Sequence, residues 1–164
     1  MKKIYFTILL SFLLINISNA QSLKSGIAVT AVTPTGNFAD AVGTGYGGVF
    51  MVKLGLPVID VTGSVEYLNF SEKETANVKA SSNMWSINAG ARISVFPFIS
   101  AGAELGNYWI TTTVDAGNGD KDNSENKVAF TPLLAANFSM FEVSVRYAII
   151  SDVGFFSLRA GIYF

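Results

Sequence analysis

The feature that most constrains this chain is a strict two-residue alternation of apolar and polar side chains. Along residues 85–95, one face carries Trp, Ile, Ala, Ala, Ile and Val, whereas the other carries Ser, Asn, Gly, Arg and Ser. The same period recurs along residues 141–149 and 156–164. Alternation over eight or more residues is typical of a β-strand with one apolar and one polar face. The sequence therefore predicts an all-β fold.

Eight segments show the pattern, at residues 24–34, 45–56, 58–70, 83–95, 98–112, 127–138, 141–150 and 155–164. Tight connections at Leu56-Pro57, Phe96-Pro97 and Ser139-Met140 alternate with long polar connections at residues 35–43, 71–82 and 115–126. The last connection, at residues 151–154, is short. Alternating short and long links are typical of an antiparallel up-and-down barrel with tight turns at one end and outer loops at the other.

The composition indicates that the barrel spans a membrane. Half of the residues are hydrophobic and only 14% are charged, against about 25% charged residues in ordinary soluble domains. No run of 18 apolar residues follows residue 20, so no transmembrane helix is predicted. In hydrocarbon, only a helix or a closed barrel pairs all of its own backbone N–H and C=O groups in hydrogen bonds. We therefore predict an eight-stranded transmembrane β-barrel.

The net charge of −1 argues against a nucleic-acid partner.

The first twenty residues have the layout of a secretory signal peptide. Lys2 and Lys3 precede an apolar stretch at residues 4–17, and Ser18-Asn19-Ala20 provides small residues for cleavage before Gln21. The alternative is a membrane anchor, but the apolar stretch is shorter than the ~20 residues of a spanning helix. The predicted organisation is a cleaved signal peptide at residues 1–20 and an outer-membrane barrel domain at residues 21–164.

Aromatic residues cluster towards both ends of the predicted strands. Near the tight turns lie Phe96, Phe98, Phe138, Phe141, Tyr163 and Phe164, and near the long loops lie Tyr46, Tyr67, Phe70, Trp85, Tyr108, Trp109, Phe155 and Phe156. We interpret the two clusters as girdles at two water–lipid interfaces. The alternative is the general preference of aromatic residues for strands.

The alternation also predicts a network of charges inside the barrel. The polar faces of the strands carry Lys53, Asp60, Glu66, Arg92, Glu104, Glu142, Arg146 and Arg159, four basic and four acidic residues. Side chains fill an eight-stranded barrel, and an unpaired buried charge there costs several kcal/mol. We therefore expect these charges to pair and to plug the lumen, with an ion or proton pathway as the alternative. Inward glycines are expected to make room for them: Gly47, Gly90, Gly102, Gly106 and Gly161.

Turn lengths suggest particular partners within this network. A two-residue turn at Leu56-Pro57 would place Lys53 opposite Asp60. A three-residue turn at residues 96–98 would place Arg92 diagonal to Glu104. Arg146 is expected opposite Arg159, a repulsive arrangement unless Glu142 or Glu66 lies between them.

Three stretches resemble the small eight-stranded outer-membrane barrels of the OmpA/OmpX-like group. They are Pro34-Thr35-Gly36-Asn37-Phe38-Ala39-Asp40, the following Gly45-Tyr46-Gly47, and the closing Leu158-Arg159-Ala160-Gly161-Ile162-Tyr163-Phe164. The resemblance implies that Leu158, Ala160, Ile162, Tyr163 and Phe164 form the C-terminal signal that the barrel-assembly machinery recognises. The chain departs from the group in having Ile162 at an outward position that is often aromatic, and Arg159 where glycine is usual.

The sequence offers little for catalysis. It contains no histidine and no cysteine, which removes the commonest general base and zinc ligand and a thiol nucleophile. The acidic stretch at residues 115–125 fails the EF-hand spacing, because counting from Asn118 puts Asn123 at the sixth position and Ala129 at the twelfth. We predict a solvated loop there, with no metal site, no cofactor and no enzymatic activity.

The predicted function is therefore that of an outer-membrane barrel with a structural or surface-interaction role. Its expected partners are outer-membrane lipid, the barrel-assembly machinery and a surface ligand that contacts the outer loops. Two alternatives stay open: a narrow pore for small or hydrophobic solutes, and a soluble secreted barrel that binds a ligand inside. The soluble barrel would have an apolar lumen and a polar exterior.

Overall fold

Eight antiparallel strands form a ring in the computed structural model of the protein, which describes residues 22–75, 78–115, 120–151 and 153–164. The strands are β1 (Ser22–Thr35), β2 (Gly45–Gly55), β3 (Asp60–Thr75), β4 (Val78–Phe96), β5 (Ile99–Asp115), β6 (Asp120–Phe138), β7 (Phe141–Ile150) and β8 (Val153–Tyr163). Each strand pairs with the next, and β1 pairs with β8, which closes the barrel. The predicted fold class is confirmed. The predicted signal peptide lies outside the described residues.

Where the structure describes the side chains of the strands, they alternate between lumen and exterior. In β7, Glu142, Ser144 and Arg146 are buried, whereas Val143 and Val145 are exposed. Large aliphatic side chains cover the outside of the barrel, and Ile87, Leu134 and Val145 are each more than half exposed. The exterior is therefore apolar and the middle of the lumen is polar, as the sequence pattern predicts.

The first tight turn is longer than expected. The backbone N–H of Leu56 donates to the carbonyl of Ile59 at 3.0 Å, and Gly55 pairs with Asp60 across the turn. Pro57 fits a turn but not a ladder, because it has no N–H to donate. The turn therefore uses four residues rather than two, and Lys53 lies opposite Thr62. The predicted pairing of Lys53 with Asp60 was wrong.

The second and third tight turns, which complete what we call the turn end of the barrel, use two residues each. In the β4–β5 turn, Phe96 pairs with Ile99, and a register shift between Ser94 and Phe96 marks a bulge. The bulge adds one residue to β4. Even-numbered residues therefore point inward on both β4 and β5, a shared parity that a two-residue turn alone would have broken. The β6–β7 turn is Ser139-Met140, and Ser139 has a φ of 58°, as the first position of a type II′ turn requires.

At the opposite end, the loop end, the strands continue much further than the sequence suggested. β3 and β4 run to Thr75 and Val78, and β5 and β6 run to Asp115 and Asp120. The expectation that residues 71–82 and 115–126 connect strands was thus wrong for most of their length, because they continue the strands; residues 76–77 and 116–119 lie outside the described residues. Threonine and serine favour strands when their hydroxyl groups bond across a ladder, as Thr111 does with Ser124 at 3.1 Å.

A short helix, α1 (Asn37–Ala41), interrupts the first long connection. Its Phe38 and the following Val42 are both buried and pack into the loop end of the lumen. Ring contact with Phe70, at 5.0 Å between centroids, holds Phe38 there. Among the residues that the structure describes, no helix is long and apolar enough to cross a membrane.

Candidate functional site: the charged lumen

All eight charged residues of the predicted network point into the barrel. Six of them are at most 2% exposed: Glu66, Arg92, Glu104, Glu142, Arg146 and Arg159. Lys53 and Asp60 are half-buried near the turn end. These residues come from strands β2, β3, β4, β5, β7 and β8, so the period of two is what directs each of them inward. The closed ring brings them together.

Ion pairs join seven of the eight residues into one chain in which basic and acidic groups alternate. The chain runs Lys53–Glu142–Arg92–Glu104–Arg146–Glu66–Arg159. The predicted direct opposition of Arg146 and Arg159 was wrong, because Arg146 pairs with Ser157 and Arg159 with Ser144. Asp60 does not join the chain, since no nitrogen of a basic group among the described residues lies within 4.0 Å of its carboxylate.

Each buried arginine at the centre of the chain binds two carboxylates. Arg92 donates from Nη1 to Glu142 Oε1 at 2.7 Å and from Nη2 to Glu104 Oε1 at 3.2 Å. Arg146 likewise donates to Glu66 Oε2 at 3.2 Å and to Glu104 Oε2. Glu66 Oε2 also lies 3.2 Å from Nη2 of Arg159, so this carboxylate separates the two arginines of β7 and β8. Bridging by both partners offsets part of the cost of removing these charges from water.

Glycines on neighbouring strands provide the space that the large side chains need. Arg92 faces Gly102, where an added Cβ would lie 2.7 Å from Arg92 Cγ and 2.3 Å from the carbonyl oxygen of Ala91. Glu104 faces Gly90 in the same way, with a Cβ only 2.5 Å from Glu104 Cγ. The close approach of β4 and β5 therefore depends on these two glycines.

We expect Gly102→Ala to destabilise the barrel by about 1–3 kcal/mol, because the methyl group would push on both the Arg92 side chain and the β4 backbone. Gly48→Ala is the matched control, since an added Cβ at Gly48 meets no atom within 4 Å. Urea unfolding of the two variants in lipid vesicles measures the difference. Equal stability of both variants would contradict the packing role of Gly102.

Apolar side chains fill the lumen between the ion pairs and the loop end. The cluster comprises Val32, Phe38, Val42, Leu68, Phe70, Met84, Tyr108, Ile110, Ala129, Ala148, Ile150 and Phe155. The assignment of Phe70, Tyr108 and Phe155 to the outer girdle was wrong, because all three are at most 1% exposed. Parity could have identified them: Phe70 shares the inward parity of Glu66, and Tyr108 that of Glu104. We call this cluster the apolar plug.

The other aromatic residues divide between the two ends of the exterior. Phe96, Phe98, Phe138, Phe141 and Phe164 are exposed at the turn end, and Tyr46, Trp85, Trp109 and Phe156 are exposed at the loop end, with Tyr67 partly exposed. Tyr163 was wrongly assigned to the turn-end girdle, because its side chain points inward and the Lys53 Nζ lies 4.2 Å from its ring centroid. Leu158, Ala160 and Ile162 of the predicted assembly signal face outward with Phe164.

The described ranges contain no group of three or more metal-ligating side chains arranged to hold a metal ion. Beyond the girdle at the loop end, charged side chains contact one another in solvent. Lys127 Nζ lies 2.8 Å from Glu125 Oε2, and its hydrogen bond lowers the pKa of that carboxyl group. These contacts are on the surface and form no enclosed site.

A closed ring of eight strands with an apolar exterior and a charged interior is the fold of the small outer-membrane β-barrels. No protein-family model matches the chain, and no curated protein matches it by sequence. Solved structures do match. The attachment invasion locus protein Ail of Yersinia pestis is 20% identical with a TM-score of 0.60, and the match covers 87% of this chain and 97% of Ail.

Two further barrels have the same fold. The N-terminal β-barrel domain of Pseudomonas aeruginosa OprF is 14% identical with a TM-score of 0.60, over 86% of this chain and 97% of that domain. Neisserial surface protein A is 12% identical with a TM-score of 0.53, over 86% of this chain and 95% of its own. Ail has also been solved in complex with the heparin analogue sucrose octasulfate. At these identities the likeness establishes the fold alone.

Proposed function

We propose that the protein is an integral outer-membrane barrel with a plugged lumen and a structural or surface-interaction role. The observation that carries this proposal is the filling of the lumen by two stacked layers, the chain of ion pairs and the apolar plug. The absence of histidine and cysteine supports a role without catalysis. The apolar exterior supports outer-membrane lipid as the surrounding partner.

The two layers argue against the alternative of a narrow pore. An ion that entered from the loop end would have to displace Phe38, Phe70 and Phe155, which pack edge to face. Below them it would have to separate bridged pairs of charges. We therefore expect the purified barrel to give no discrete conductance steps in planar lipid bilayers. Regular steps from the folded protein would favour the pore.

The exterior argues against the second alternative, a soluble ligand-binding barrel. That barrel requires polar side chains outside, whereas Ile87, Leu134 and Val145 are exposed here. A band of this kind in water would be an aggregation site. We expect the protein to fractionate with membranes and to change its gel mobility on boiling. Recovery from the soluble fraction without detergent would support the alternative.

We propose that the loop end faces the cell exterior. Because the chain contains no cysteine, single substitutions can report its orientation. Ser124→Cys lies at the loop end and Ser94→Cys at the turn end, and both serines are exposed. We expect a membrane-impermeant maleimide to label Ser124→Cys on intact cells, and to label Ser94→Cys only after lysis. The reverse pattern would contradict this orientation.

Strands β3–β6 form the surface most available to a partner. They continue past the girdle tryptophans, Trp85 and Trp109, and β5 extends six more residues to Asp115, or ~20 Å along the strand. The ladder with β7 begins only at Ala129, so the preceding part of β6 is paired with β5 alone. An exposed strand edge of this kind offers backbone groups to an extended partner.

The charge of the loop end indicates the kind of surface ligand. Residues 36–44, 71–82, 111–127 and 151–154 contain four basic residues, Lys73, Lys79, Lys121 and Lys127, and eight acidic ones, Asp40, Glu72, Glu74, Asp115, Asp120, Asp122, Glu125 and Asp152. Ail binds a sulfated sugar, but an acidic surface repels such a polyanion. We propose a neutral or basic surface ligand for this protein.

We also propose the barrel-assembly machinery as a partner. The outward row of β8 ends in Leu158, Ala160, Ile162 and Phe164, of which Leu158 and Phe164 are more than half exposed. An apolar row on the closing strand is available to another protein before β8 pairs with β1. The inward Tyr163 contributes instead to packing inside the barrel.

A further inference from the structure

A polar cavity of about 220 Å³ opens at the turn end of the barrel, below the chain of ion pairs. Its polar lining comes from Lys24, Lys53, Asp60, Ser94, Asn137 and Ser139. Of the two lysines in this lining, only Lys53 belongs to the chain of ion pairs that fills the lumen. Filling the lumen therefore does not explain why Lys24 lines the cavity.

The two lysines of the cavity are direct cross-strand neighbours. Lys24 of β1 pairs in register with Lys53 of β2, and like charges in directly opposite positions destabilise a sheet. Lys53 has partners, since its Nζ donates to Asn137 Oδ1 at 3.1 Å and to Glu142 Oε2 at 3.4 Å. Lys24 is exposed, and no carboxylate of the described residues lies within 4.0 Å of its amino group.

The buried network of ion pairs, which lies on the lumen side of the cavity, does not compensate this positive charge. Three buried arginines, Arg92, Arg146 and Arg159, match three buried glutamates, Glu66, Glu104 and Glu142. The cavity itself adds two lysines against the single carboxylate of Asp60. Among the side chains of the network and the cavity, one positive charge is thus in excess, and a concave site attracts an anion more strongly than an open surface does.

We propose that this cavity binds a phosphate group, with Lys24 and Lys53 as its cationic partners and the hydroxyl groups of Ser94 and Ser139 as neutral donors. A tetrahedral anion accepts hydrogen bonds from several directions, which suits donors on different strands, and lysine is a common point-charge partner of phosphate. Free phosphate and the headgroup of a phospholipid both present this chemistry. Exposed Phe96 and Phe98 beside the cavity place its rim at the level of lipid headgroups.

The test uses the folded full-length barrel in a neutral sugar-based detergent, titrated by calorimetry with inorganic phosphate and, separately, with a short-chain phosphatidylglycerol. We expect saturable binding of one phosphate group. Lys24→Gln should weaken it about tenfold, the effect of losing one charge-assisted contact. Asp60→Asn should strengthen it about threefold, because it removes the opposing charge. Lys127→Gln, at the loop end, is the control and should change nothing.

The opposite signs for Lys24→Gln and Asp60→Asn separate a built site from nonspecific attraction. Neither residue takes part in the chain of ion pairs, and heat-modifiable gel mobility verifies that each variant is folded. Binding of both ligands assigns the site to phosphate as such, and binding of phosphatidylglycerol alone assigns it to a lipid headgroup. Absence of saturable binding to the wild type, or an equal loss with Lys127→Gln, would overturn the proposal.

Discussion

Replacing Arg146 with methionine is expected to destabilise the folded barrel by about 3–5 kcal/mol, the usual cost of breaking a buried ion pair from one side. The guanidinium of Arg146 bridges Glu66 and Glu104. Methionine has a comparable length and would leave both carboxylates less compensated at 1–2% exposure. Arg159 would still lie beside Glu66, and Arg92 beside Glu104, so the remaining network would carry one net negative charge more than before.

Urea unfolding of the barrel in lipid vesicles, followed by gel mobility without boiling, measures the change. Val145→Met is the matched control, because Val145 adjoins Arg146 on β7 but faces outward. Exchanging one apolar side chain for another on that face should cost less than about 1 kcal/mol, because the outer surface tolerates a change of volume. Adding Glu104→Gln to Arg146→Met should restore part of the stability, since it removes one of the unbalanced charges.

A lysine at position 146 refines the same test. It keeps the positive charge but cannot bridge two carboxylates with a planar fork, so Arg146→Lys should be more stable than Arg146→Met and less stable than the wild type. If Arg146→Met were as stable as Val145→Met, the proposed plug would lose its energetic basis. The conductance experiment would then have to be repeated on the variant.

The inward positions of the charges follow from the sequence, whereas most of their partners do not. Parity alone orients Glu66, Arg92 and Arg146, because the period of a strand is two. The diagonal relation of Arg92 and Glu104 was expected from a three-residue turn; the structure reaches the same spacing with a two-residue turn and a bulge that the sequence did not predict. Arg92 and Glu142, however, are 50 residues apart and meet across the lumen. Such a contact depends on strand tilt and stagger, which no local pattern encodes.

Turn geometry and tertiary packing explain the remaining errors. The register of Lys53 differs from the prediction because the β2–β3 turn has four residues rather than two. Phe70 was assigned to lipid from its position near a strand end, although its parity indicated the lumen; burial against Phe38 and Phe155 decides the question. The buried Phe38 belongs to a polar connection between strands, where no period marks it as part of a core.

The second large effect is expected on the outside of the barrel, from Ala91→Arg. Ala91 faces outward, opposite Ala103 on β5. It lies five residues from Phe96 at the end of β4, which corresponds to ~16 Å along the strand and ~12 Å across a bilayer at a tilt of ~40°. This depth is near the middle of an apolar band about 25 Å tall, where an outward arginine costs about 2–4 kcal/mol.

Ser94→Arg should be much milder, although it introduces the same side chain into the same strand. Ser94 lines the polar cavity at the turn end, so a guanidinium there stays in contact with water, although Lys24 and Lys53 line the same cavity. Ala91→Met controls for side-chain size on the lipid face. Folding yield in lipid vesicles and the urea midpoint should fall in the order Ala91→Met, Ser94→Arg, Ala91→Arg. Equal effects of the two arginines would mean that the outside of β4 is not in hydrocarbon, because only a lipid environment distinguishes these positions by charge rather than by size.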